Sequence, residues 1–224
     1  MTTINSELII DTNILKENIS YIKTQLNEKS NFMAVIKSDA YGHNIENVVT
    51  NIDDSVDGYG VVRISEAKKI RKISNKKILL MQGIYSDDEL HKAIELNLDT
   101  VIHNKDQFGI IKNNNYFEGL WLKINTGMNR LGFEIDDFLN LYNKYLYDKK
   151  FILMSHLAAS NDINSLSNKN QFKLFDSLSE KINKDIKKSI ANTGCVMNFP
   201  SHTYDWVRCG IGIYGGYFKD KNIK

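Results

Sequence analysis

Apolar positions along the chain alternate between two periods, that of a buried strand and that of an amphipathic helix. Residues 32–36 (FMAVI) are apolar without a break, as in a strand covered on both faces. Upstream, Leu15, Ile19, Ile22 and Leu26 recur at spacings of four, three and four, which sets one helical stripe against a core and leaves Lys16, Lys23 and Glu28 off it. That helix is expected over residues 13–26, after good caps at 11–13, with a short apolar strand at 7–10 before it. Further strands are expected at 59–62, 78–81, 100–103, 119–125, 151–156, 188–191 and 204–208. Helices are expected at 45–52, 65–73, 88–96, 105–112, 135–147 and 167–182, with only a short irregular stretch between the last two strands.

Counted from residue 32, this gives eight apolar strands. Strands separated by helix-sized segments force a parallel sheet with both faces covered, and eight such units predict an α/β fold, a closed (β/α)8 barrel of the TIM type. An open doubly wound sheet would carry a GxGxxG turn after its first strand, and none is present. The helix over 13–26 then fills the ring position left vacant after the eighth strand. Without repeats, low-complexity tracts or linkers, residues 1–224 read as one barrel domain.

Composition narrows the function classes. With 224 residues, 42% hydrophobic, the chain can bury one sizeable core. A formal net charge of +2 gives no electrostatic case for nucleic acid or an acidic membrane surface, which leaves small-molecule chemistry. No basic start leads into a long apolar run and no stretch reaches the length of a membrane span, so a cytoplasmic protein is expected. Cys195 and Cys209 have neither metal-ligand spacing nor disulfide density; they read as buried small hydrophobes, and no metal site is expected.

In a barrel of this kind chemistry sits at the carboxyl ends of the strands, and the polar clusters fall there. Lys37 and Tyr41 follow the first strand, Lys123, Asn125 and Arg130 surround the end of the fifth, and His156 ends the sixth. Asn192 and Thr193 end the seventh, and Arg208 ends the eighth ahead of a glycine-rich run. A lysine with an apolar strand behind it and a polar loop in front is a partly desolvated amine, suited to capture a carbonyl cofactor such as pyridoxal phosphate. Backbone amides and a hydroxyl after strands seven and eight suit its phosphate. Trp121 and Trp206 read as packing residues, and His43 and His103 as loop or surface residues.

Five motifs in order carry a resemblance: AVIKSDAYGHN from residue 34, KINTGMNRLGF from 123, SHLAASND from 155, IANTG from 190 and DWVRCGIGIYGG from 205. Together, over essentially the whole chain, they resemble the barrel domain of the alanine racemase family. The resemblance implies pyridoxal 5'-phosphate as cofactor, held by Lys37 as a Schiff base, with Lys37 also moving the substrate α-proton on one face. It implies phosphate binding by Tyr41, Thr193 and the amides of Gly210 and Ile211, supported by Asn192; Thr193 stands where the family usually has serine. Arg208 would meet the pyridine nitrogen and His156 would orient it, Arg130 would bind the substrate carboxylate, and Lys123 matches a position that is often carbamylated. Asn125 departs from the family's usual aspartate. Alanine as substrate, D-alanine made for peptidoglycan, and a homodimer are implied as well. Family members continue into a β-rich domain whose tyrosine serves the neighbouring subunit as the second base, so a truncated racemase is expected, the strand at 7–10 being the piece that would pair with that domain. A single-domain pyridoxal-phosphate-binding protein, or another amino-acid racemase or lyase of the same fold, stays open beside it.

Overall fold

Most of the strand-forming runs are apolar on both faces because they are covered twice, by side chains on the barrel axis and by an outer ring of helices. In the computed structural model, which describes residues 8–217 and 222–224, eight parallel strands pair in the order β7-β6-β5-β4-β3-β2-β1-β8. They are β1 Asn31–Val35, β2 Gly58–Val61, β3 Lys77–Leu80, β4 Leu98–Ile102, β5 Leu120–Lys123, β6 Ile152–Met154, β7 Lys187–Ser189 and β8 Trp206–Cys209. The ring shuts between β7 and β8. There the Arg208 N–H donates to the Ala191 carbonyl at 2.9 Å and the Asp205 N–H to the Lys188 carbonyl at 3.2 Å. The expected (β/α)8 barrel is formed, with strand ends displaced by a few residues.

Side chains alternate along each strand, so every second residue points at the axis. One inner layer is Met33, Leu79, Val101, Trp121, Met154 and Trp206, with the two indoles edge to face at 5.9 Å. Both tryptophans are therefore packing residues, as expected. One inward step beyond Trp121 on β5 stands Lys123, and one beyond Trp206 on β8 stands Arg208. The apolar layer is thus the floor on which the polar strand ends rest. At the opposite end Asp99, 8% exposed, accepts Trp121 Nε1–H at 2.8 Å and pairs with Lys77 at 2.6 Å.

The helix Thr12–Lys23 buries Leu15, Ile19 and Ile22 and is capped by Asp11, which accepts the Asn13 N–H at 2.9 Å. It takes the ring position after β8: buried Asn18 donates to the carbonyls of Ile213 and Lys224 at 3.1 and 2.8 Å. Helices Ile45–Ile52, Ile64–Arg71, Asp87–Glu95, Lys105–Asn113 and Leu166–Ser179 fall close to expectation.

Three elements differ. The segment expected as one helix over 135–147 is α-helical at Ile135–Leu141 and widens into a π-turn at Tyr142–Leu146. The stretch expected to be irregular between β7 and β8 holds the helix Thr193–Asn198, which is too short to show an apolar period and whose signal is the cap at Asn192. The strand expected at 7–10 is not formed over its described part, where residues 8–10 lack strand pairing and Leu8 and Ile9 are 66% and 82% exposed; Glu7 lies outside the described residues. A short apolar run forms a strand only where an edge is there to receive it.

Removing the carboxylate beneath the tryptophan layer strands two donors at once. Asp99→Ala is expected to lower unfolding free energy by about 2–4 kcal/mol, read by urea titration of tryptophan fluorescence. A loss below about 0.5 kcal/mol would mean that Asp99 does not brace the barrel floor.

Candidate functional site

The four residues after Lys37 turn against the hand that L-residues prefer. Ser38, Asp39, Ala40 and Tyr41 all lie at φ 52–55°, a left-handed turn, and each residue held this way costs about 1–2 kcal/mol. Gly42 at φ 86° and Asn44 at φ 65° prolong the positive run with residues that tolerate it. Backbone bonds hold the turn: Ala40 N–H to the Ile36 carbonyl, Gly42 N–H to that of Ser38 and Asn44 N–H to that of Asp39, each at 3.0 Å. The Asp39 carboxylate then accepts the Ile45 N–H at 3.1 Å and so joins the turn to the next helix. The consequence is a reversal within five residues. Lys37 and Tyr41 face the same mouth, with Lys37 Nζ 5.9 Å from the centre of the Tyr41 ring. Tyr41 packs on Tyr214 at 5.0 Å, and Tyr214 on His43 at 4.8 Å. Burial pushes the Tyr41 phenol up, so it stays a donor.

The facing wall comes from the ends of β7 and β8. Asn192 Oδ1 accepts the Cys195 N–H at 3.0 Å and the Ser160 hydroxyl at 2.7 Å, which fixes the first turn of Thr193–Asn198. Thr193 is 2% exposed, and its hydroxyl accepts the Gly212 N–H at 3.4 Å. At Gly210 a Cβ would lie 2.5 Å from the Tyr41 hydroxyl. The bare backbone after β8 therefore lets the phenol close over it.

Arg208 crosses the centre, 3% exposed. Its Nη2 donates to the Ser155 carbonyl at 2.7 Å, its Nη1 to the Ser189 hydroxyl, and Nη2 lies 3.4 Å from His156 Nδ1. Ser189 in turn donates to the Trp206 carbonyl at 2.7 Å. Complete burial lowers the guanidinium to about 10, which leaves it charged at neutral pH. His156 is pushed down to about 3 by burial and then by Arg208 and Lys123, so it stands neutral and able to accept from Arg208. Lys123, 5% exposed, is lowered to about 8 by burial first and then by Arg208 and Arg130.

All ten site residues expected from sequence, namely Lys37, Tyr41, Lys123, Arg130, His156, Asn192, Thr193, Arg208, Gly210 and Ile211, line one cavity of about 400 Å³. Gln82, Asn161 and Gly194 line it as well, and sequence reasoning missed them along with Ser189 and the Ser155 carbonyl. Ser189 was detectable in principle, because it is the inward-facing residue of β7 beside an inward arginine. His103, expected as a loop or surface residue, is 5% exposed, its Nε2 3.1 Å from the Gln82 carbonyl and 3.2 Å from Gln107 Nε2. It follows β4, which ends at Ile102, and its buried ring is held at the strand end by these contacts to Gln82 and Gln107.

Lys37, Lys123, Arg130 and Arg208 bring four basic groups to this cavity, and no carboxylate among the described residues lines it. With two hydroxyls and close-packed backbone at Gly210, the donor set fits a small anionic ligand carrying a phosphate and a group reactive toward an amine. Fold and site define the class: a (β/α)8 barrel with a basic cavity, free of carboxylates among the described residues, beside a strand-end lysine. The model of the family "Alanine racemase, N-terminal domain" matches residues 10–218. Relatives include the alanine racemases of Vesicomyosocius okutanii, 37% identical over 210 residues, and of Coxiella burnetii, 38% identical over 213 residues, each match covering 92% of this chain. The chain spans 58% and 57% of their lengths. The crystal structure of biosynthetic alanine racemase from Pseudomonas aeruginosa superposes with a TM-score of 0.85 at 29% identity, covering 92% of this chain and 58% of that one. The chain belongs to the alanine racemase N-terminal domain family.

The depressed Lys123 amine has a measurable cost. An unfolded lysine keeps its proton up to its ordinary value of 10.5, so between about pH 8 and 10.5 unfolding takes up a proton and stability rises with pH. Below pH 8 both states are charged and the penalty of the buried cation is complete. Lys123→Met is expected to raise unfolding free energy near pH 7 by about 1–3 kcal/mol in carbonate-free buffer and to flatten the rise above pH 8. Urea titrations at several pH values check this, and a variant that keeps the wild-type slope would contradict it.

Proposed function

We propose that residues 1–224 are the cofactor-binding barrel domain of a pyridoxal-phosphate-dependent alanine racemase, interconverting L- and D-alanine. The observation that carries the reading is the convergence of the Lys37 amine and three further basic groups on one carboxylate-free cavity in a chain of this family. When bound, the cofactor supplies an aldehyde that captures amines and a ring that withdraws electrons from the α-carbon.

Lys37 Nζ would hold that aldehyde, and its free amine would remove and return the α-proton on its own face. The hydroxyls of Tyr41 and Thr193, with the amides of Gly210 and Ile211, hold the phosphate, and Asn192 fixes that wall. Arg208 meets the ring nitrogen. Because it keeps its own proton at neutral pH, it would donate a hydrogen bond to that nitrogen without giving up its proton. His156 orients Arg208 from 3.4 Å. Arg130 binds the substrate carboxylate. Lys123, lowered to about 8, is neutral in roughly a tenth of molecules at pH 7 and can take up carbon dioxide as a carbamate, giving an anion that positions Arg130.

Exposed Leu131 and Ile211 line the cavity, which supports a partner subunit closing it, and we infer a homodimer. No helix among the described residues is long and apolar enough to cross a membrane. The buried free thiols of Cys195 and Cys209 suit a reducing compartment, so we place the protein in the cytoplasm.

The direct test adds pyridoxal phosphate to wild type, reduces with borohydride and maps the modified peptide by mass spectrometry. Modification at Lys37, lost in Lys37→Ala, is expected; none in wild type would end the reading. Tyr41→Phe is expected to weaken cofactor affinity about tenfold. Incubation with L- or D-alanine in heavy water, followed by chiral analysis, reports α-proton exchange and inversion.

A further inference from the structure

The left-handed turn that presents Lys37 and Tyr41 is strained, and its first N–H, on Ser38, finds no acceptor within the turn. It donates instead to Glu66 Oε1 at 2.7 Å, a residue 28 positions later in the first turn of the helix Ile64–Arg71. The other oxygen, Oε2, accepts the N–H groups of Val62 and Arg63, each at 3.0 Å, at the carboxyl end of β2. One carboxylate thereby satisfies three backbone donors from two neighbouring loops. Such charge-assisted bonds are among the stronger ones available to a side chain.

We propose that Glu66 is the positioning residue for Lys37 and Tyr41: it locks the left-handed turn onto the end of β2, so that amine and phenol are preset for the ligand. The proposal rests on the cofactor reading of these two residues. Capping of its own helix requires only Oε2, toward Arg63 and Val62; Oε1 leaves the helix for the residue that directly follows the lysine. Both oxygens are used, so glutamine, with a single acceptor oxygen, does not replace the carboxylate. A second link from the same helix, Lys69 to Asp39 at 3.5 Å, joins two half-exposed side chains and contributes little.

The test compares wild type, Glu66→Gln, Glu66→Ala and Lys69→Ala as full chains. Amide hydrogen exchange is followed without cofactor, and pyridoxal phosphate affinity is read by absorbance. In Glu66→Ala the amides of residues 38–44 are expected to exchange at least tenfold faster while those of β4 to β6 keep wild-type rates, and affinity is expected to fall about tenfold. Glu66→Gln should fall between this variant and wild type, and Lys69→Ala should stay within threefold of wild type. Wild-type exchange over 38–44 in Glu66→Ala would overturn the proposal. A loosened turn with wild-type cofactor affinity would overturn it equally, because it would reduce Glu66 to a stabilising cap. If wild type captures no pyridoxal phosphate yet exchange over 38–44 still rises in Glu66→Ala, the cofactor reading fails and the lock on the turn stands.

Discussion

A guanidinium buried at the axis of an apolar barrel dictates the electrostatics of everything near it. Arg208 is met by the Ser155 carbonyl, the Ser189 hydroxyl and His156, and among the described residues it has no carboxylate partner. A buried ion without a counter-ion is costly, so its neighbours avoid adding charge. His156 stays neutral and Lys123 is eased toward neutrality, each displaced first by burial and next by Arg208. A carboxylate beside Arg208 would relieve all three and leave the cavity with little preference for an anion. The cavity thus holds an uncompensated cation, and a ligand that accepts a hydrogen bond from it would offset part of the cost of burying it.

The second constraint is the conformation after β1. A strand end projects one residue toward the mouth, and an ordinary helical continuation would carry the next several away from it. Left-handed φ at Ser38 through Tyr41 brings Tyr41 back beside Lys37, at the price of local strain. The strain persists because its surroundings are over-determined: Ala40 is fully buried, Tyr41 packs against Tyr214, and the turn is bonded to the loops on both sides. The rigid barrel and the strained turn are complementary, the first supplying the fixed points that the second needs.

Much of this was legible in the sequence, for reasons that can be named. Strands buried on both faces announce themselves as unbroken apolar runs, and charged residues at their ends stand out against them, which is why the strand order and the basic residues Lys37, Lys123, Arg130 and Arg208 were accessible, whereas Gly210 and Ile211 came from the family resemblance. Features that depend on backbone geometry were not. Nothing in SDAY specifies four left-handed residues, since serine, aspartate, alanine and tyrosine all prefer other regions, and local backbone bonds together with contacts to neighbouring loops hold them there. The helix Thr193–Asn198 is shorter than two periods. His103 and Ser189 carry polar side chains into buried positions, where the hydrogen bonds that admit them come from residues distant in the chain.

Asn125, where the family usually has aspartate, shows how a local substitution is accommodated. Its Oδ1 accepts the N–H groups of Gly127 and Asn129, each at 3.1 Å, a role that an aspartate oxygen would fill equally well. Its Nδ2 donates to Asn129 Oδ1 at 3.0 Å and to Glu134 Oε1 at 2.8 Å, which an aspartate could not do. With Glu134 opposite, a second carboxylate would set two like charges in contact, whereas the amide bridges them and closes the loop that carries Arg130. The exchange removes one negative charge from the neighbourhood of Arg130 without opening its loop.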